Sequence, residues 1–143
     1  MEREELRNAL EAVAAQITLG NKLYLSTKMH RLLSEGAIGE EGGLEKVLAA
    51  ISGRIAEVEQ LLVQYEQAPR MPGTEEVLGH FMTGFSLYHQ GLTALIDCLK
   101  RDDLSPLPDA FASLHEGDLH VKETERLGKK YTEETDDELN FSI

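Results

Sequence analysis

The stretch His115-Glu116-Gly117-Asp118-Leu119-His120 crowds two histidines and two carboxylates into six residues, which is the raw material of a hydrolytic zinc site. Zinc hydrolases of the HExxH type work because their histidines lie four apart, on one helical face, where both rings reach one ion. Here the histidines are five apart. On a helix they diverge by about 140°, so the spacing predicts surface histidines and no zinc centre. A di-iron helical site needs Glu three residues before His on two helices. The residues in that position before the five histidines are Thr27, Val77, Ser86, Ala112 and Gly117, none of them acidic. Glu76 and His80 do lie four apart, a pairing that reads as capping and solvation at a helix start.

Cys98 is the one thiol in the chain. It falls in a row of small residues beside an apolar seam, where a cysteine acts as a compact apolar filler with a raised, unreactive pKa. The glycine-rich segment EGAIGEEGG (35–43) has neither the GxxxxGK[ST] nor the GxGxxG spacing, and its carboxylates repel phosphate. No catalytic, cofactor-binding or metal-ligating residue is therefore assigned, and no cofactor is expected.

Asp118 breaks the pattern around it. It stands in angular register with Leu107, Phe111, Leu114 and Val121, at the centre of an apolar helical face. A carboxylate there without a partner costs several kcal/mol, so it should have a partner, be protonated, or lie at an exposed end of the bundle. Arg54 and His89, each at the edge of its own helix's apolar face, are the expected candidates.

The elements that must position these groups are helices. The plainest organising stretch is Thr74 to Arg101, where Leu78, Phe81, Phe85, Tyr88, Leu92, Leu95 and Leu99 recur at spacings of three and four. A row of small residues, Val77, Gly84, Gly91 and Cys98, flanks that seam. From Val77 to Ile96 there is no Lys, Arg, Asp or Glu. The outward face, with Gly79, His80, Thr83, Ser86 and Gln90, is thus uncharged where a surface helix ordinarily carries charge. The run is long enough to span a bilayer, but its histidines, glutamine and hydroxyls are costly in hydrocarbon, so no membrane span is expected. Thr74 with Glu75 and Glu76 supplies an N-cap hydroxyl and an acidic first turn.

Before this helix, Glu2 to about Ser34 reads as a first helix with a kink or a rotated face at Gly20-Asn21, and a small hairpin there is the rival reading. A loop at 35–43 leads to a second helix, Leu44 to Gln67, with Leu44, Leu48, Ile51, Ile55, Val58, Leu62 and Tyr65 on one face. Ala68 to Gly73 turns the chain into the third helix. Ser105-Pro106 then resembles an N-cap followed by proline at the first helical position, opening a fourth helix that extends to about Tyr131. Thr132 to Ile143 has five acids and no base, and reads as a flexible acidic tail. The short connections predict an all-α, single-domain, antiparallel up-down-up-down four-helix bundle over 1–131 with the tail at 132–143.

With 26 acidic against 14 basic side chains, the formal charge is −12. A field of that sign repels phosphate backbones and anionic lipid headgroups, which argues against nucleic-acid and membrane partners. A single cysteine and the absence of a secretory leader point to a reducing, cytoplasmic setting. The function expected is that of a non-enzymatic protein-interaction module, an adaptor or chaperone-like bundle that pairs with itself or another protein through the third helix. Depletion of charge is the warrant, since interface cores are depleted in charged residues. Small, acidic and all-helical with a loose tail, the chain is similar in gross character to the export chaperones of flagellar and type III secretion systems, a likeness of composition and helix layout that carries over no individual residue. The alternative is a small-molecule or metal-dependent helical enzyme or sensor using His80, His89, Asp118 and Tyr88.

Overall fold

The computed structural model describes residues 3–69 and 71–139, with side chains as far as residue 128. The described residues are all helical, without strands, and form five helices instead of the four expected. These are α1 (Arg3–Gln16), α2 (Leu25–Glu35), α3 (Gly43–Glu66), α4 (Glu75–Arg101) and α5 (Leu107–Leu139).

The additional helix arises at the N-terminus. Where one kinked helix was expected, residues 17–24 form an irregular connection between α1 and α2. Asn21 organises it by accepting a hydrogen bond from the Leu23 backbone N–H at 2.9 Å, a local turn that competes with helix. The apolar pattern slips at Gly20-Asn21 because the chain changes element there. At the other end the expected boundary at 131/132 falls inside α5, which continues to Leu139. The last four residues of the expected tail, 140–143, lie outside the described residues.

Two local expectations are also corrected. Thr74 precedes α4, but its hydroxyl donates to the Met71 carbonyl at 2.6 Å and makes no side-chain cap. Ser105 turns back to Asp103, whose Oδ1 accepts from its backbone N–H at 3.1 Å and its hydroxyl at 2.8 Å, and α5 begins only at Leu107. The end of α4 is closed by Asp102 in the left-handed region, φ 52°, with the Asp103 N–H returning to the Cys98 carbonyl at 3.1 Å.

The core is concentrated at one end. Leu6, Leu10 and Val13 of α1, Leu25, Met29 and Leu33 of α2, and Val47 and Ile51 of α3 close around Leu92, Leu95 and Leu99 of α4 and Leu107, Phe111 and Leu114 of α5. The α4 seam is buried as expected except at Phe81 and Phe85, which are half-buried. Those two belong to an aromatic run, Tyr65–Phe81–Phe85–Tyr88, with ring centroids 3.8, 4.2 and 5.5 Å apart in turn.

The small-residue row is the contact surface with α5. A Cβ on Gly84 would sit 3.1 Å from the Gly117 carbonyl oxygen and 3.1 Å from the His120 Cβ, and one on Gly91 would sit 2.8 Å from Leu114. At Gly91 a Cβ could not be fitted without a shift of its neighbours, and at Gly84 it would be tight. The pairings 84 with 117 and 91 with 114 run in opposite senses, so α4 and α5 are antiparallel neighbours. Cys98, in the same row, is buried. Burial first, then the charges of Asp103 and Asp97, push its thiol up.

Candidate functional site

Asp118 is buried, 3% exposed, as its place on the α5 apolar face requires. Neither expected partner meets it. Arg54 pairs with Glu57 one turn along α3 at 3.1 Å, and His89 reaches across to Glu59 at 2.9 Å, both at the surface. A cation is not needed because the carboxylate is satisfied by neutral donors. Its Oδ1 accepts from the Leu25 backbone N–H at 3.0 Å and from the Tyr88 hydroxyl at 2.6 Å; its Oδ2 accepts from the Ser26 N–H at 3.3 Å and from the Ser26 hydroxyl.

Leu25 and Ser26 are the first two residues of α2, whose N-cap position, Tyr24, offers no side-chain cap. Asp118 therefore supplies the cap from another helix. Its negative charge lies at the positive end of the α2 dipole, where the unpaired N–H groups of a helix start would otherwise be stranded in the core. Burial first, then the bond to Asp118 and its charge, hold the Tyr88 phenol far above the ordinary tyrosine range. The chemistry this arrangement supports is structural: the Ser26 hydroxyl is 0% exposed and its proton is engaged by a carboxylate that is itself fully occupied.

The residues of the enzyme-or-sensor reading are dispersed. Asp118 and Tyr88 share the buried cap, His89 pairs with α3, and His80 turns toward α5. There His80 Nδ1 lies 3.0 Å from His120 Nδ1, with ring centroids 5.3 Å apart. One ring donates and the other accepts. The Gly84–Gly117 contact produces this meeting, since it presses the His120 Cβ against α4 one turn from His80. Sequence spacing within one helix could not reveal it; the glycines at 84 and 117 were the available signal. His120, expected as a surface histidine, is half-buried.

The interaction candidates Gly79, Thr83, Ser86 and Gln90 are all exposed on α4, whereas His80 is half-buried and belongs to the α4–α5 seam. Two concavities lie on the surface of the described residues. A cleft of about 650 Å³ lies between α1 and α2, with Leu6, Leu10 and Leu33 among its lining residues and Arg3, Arg7, Glu4 and Glu11 about them. His30 borders it and is engaged, with Nε2 3.0 Å from the Leu10 carbonyl. A shallower groove of about 270 Å³ is lined by Val58, Phe85, Tyr88 and Val121 and bordered by Leu23, which is 75% exposed.

Among the described residues no three His, Cys, Asp or Glu side chains are grouped to hold a metal ion, and no helix is long and apolar enough to cross a membrane. No protein-family model matches the chain, and comparisons with curated proteins and with solved structures give no significant match.

Proposed function

We propose that the protein is a non-enzymatic interaction module, an adaptor or chaperone-like helical bundle, and that it pairs with a second copy of itself through the outward strip of α4. One observation carries this reading: Gly79, Thr83, Ser86 and Gln90 are exposed together and none bears a charge, in a chain with 28% charged residues. Spacings of four, three and four put them on one helical line. Small side chains along such a line allow another helix to approach closely, and desolvating hydroxyls and an amide costs less than desolvating charges.

Light scattering across a size-exclusion peak tests the proposal. At tens of micromolar the expected mass is that of a dimer, and Ser86→Lys, which leaves every described core contact untouched, is expected to return it to a monomer. A wild-type monomer overturns self-association; a Ser86→Lys dimer moves the contact off this strip.

A further inference from the structure

We propose that His80 and His120 form a two-histidine binding site for a borderline divalent metal ion of the zinc class, bridging α4 and α5, with the Glu123 carboxylate as a nearby negative charge. The site is separate from the outward α4 strip and does not depend on self-association.

The geometry is the first argument. The two Nδ1 atoms point at one another across the helix pair at 3.0 Å. Zinc–imidazole bonds of about 2.0–2.1 Å at a tetrahedral angle set two nitrogens about 3.3–3.4 Å apart. An opening of a few tenths of an ångström therefore converts the proton held between the rings into a metal held between them. Two neutral rings release no net proton on binding: the donating ring gives up its Nδ1–H and takes up a proton at Nε2, so that both Nδ1 lone pairs face the ion.

Rigidity is the second argument. The Gly84–Gly117 contact fixes the backbones that carry both rings, and the Thr124 hydroxyl donates to the His120 carbonyl at 3.0 Å. Both rings are half-buried, shielded by protein yet open to an entering ion.

The third argument is the local charge. Glu123 lies one turn beyond His120, and both of its hydrogen bonds from Arg126 end on Oε1. Its carboxyl is held below the usual range first by the Arg126 hydrogen bond, and in smaller part by the charges of Arg126 and, across the helices, His80. Water fills the open positions. Imidazole donors suit zinc among the available divalent ions. The −12 formal charge favours cation approach.

Zinc titration calorimetry on the full chain, without a histidine tag, tests the site. One equivalent per chain is expected, with a rise in Tm that grows with zinc concentration. His80→Ala and His120→Ala are each expected to weaken binding at least tenfold, whereas His89→Ala and His115→Ala keep wild-type affinity. Circular dichroism of the metal-free variants checks that the helices persist; if an alanine variant unfolds, His80→Asn and His120→Gln replace it. Cobalt(II) absorption gives an independent readout, with nitrogen-ligated d–d bands that vanish in the double variant. No saturable uptake at 100-micromolar zinc, or uptake unchanged in the double variant, overturns the proposal. Repeating the titration on Ser86→Lys separates this site from the dimer: equal affinity there is expected, and a lost site would refute its independence.

Discussion

The Tyr88 hydroxyl donates to Asp118 Oδ1 at 2.6 Å, from the buried face of α4 to the buried face of α5. This bond completes a carboxylate that also holds the first two residues of α2, so a single side chain joins three helices.

Asp118→Asn should therefore be costly. Asparagine keeps one acceptor oxygen but turns an NH2 toward groups that are themselves donors, and removes the charge that faces the α2 dipole. A loss of about 3 kcal/mol is expected from urea denaturation. A change within about 0.5 kcal/mol would show that the cap contributes little.

Tyr88 gives the fold an alkaline limit. Its folded pKa is raised, so the folded state retains a proton that the unfolded chain releases. The stability it contributes is complete below about pH 10, the ordinary tyrosine value, and is lost progressively as pH climbs above it. Tyr88→Phe is expected to lower stability by about 1 to 3 kcal/mol at neutral pH and to flatten the decline above pH 10. Denaturation midpoints of both proteins between pH 7 and 11 provide the comparison.

Two glycines on facing helices should respond oppositely to alanine. A Cβ on Gly117 would lie 2.5 Å from a Tyr88 ring carbon and 2.9 Å from the Gly84 carbonyl oxygen, so Gly117→Ala should destabilise by at least about 2 kcal/mol. Gly79, with no atom of its own chain within 4 Å of an added Cβ, should gain about 0.5 to 1 kcal/mol from the same substitution through helix propensity when melted at concentrations too low for pairing. Thermal melts of the two variants read the difference directly.

Cys98 should react slowly. With its thiol buried and its pKa raised, a disulfide reagent is expected to label native protein far more slowly than protein in denaturant. Equal rates would place the α4–α5 seam in frequent opening.

Truncation after Tyr131 should lower helical ellipticity, because Thr132 to Leu139 belong to α5, while leaving Tm within a few degrees. Among the described residues the core ends at Leu114, with Val121 partly buried against it. A larger fall would mean that the removed segment packs on the core.

The helices with strong local signals were readable in the sequence. Expected bounds of Leu44–Gln67 and Thr74–Arg101 differ by one residue at each altered end from α3 (Gly43–Glu66) and α4 (Glu75–Arg101). Asp118 was legible as a misfit in an apolar stripe, because register alone shows that. Its partners were not, since two are backbone N–H groups and the third is the hydroxyl of a tyrosine already accounted for by the α4 seam. The start of α2 was missed for the same reason: its cap comes from α5, so no residue near Tyr24 carries the ordinary helix-start signature.

That distant cap also sets an order of assembly. A ribosome releases α1 and α2 first, yet the acceptor for the Leu25 N–H lies 93 residues downstream. Until α5 emerges, α2 has unpaired N–H groups and no apolar floor at Phe111 and Leu114. The α1–α2 arm is thus made before α5 yet settles only with it, and the amides of Leu25 and Ser26 serve as a clock for that step: their hydrogen exchange slows only when α5 has closed on α2.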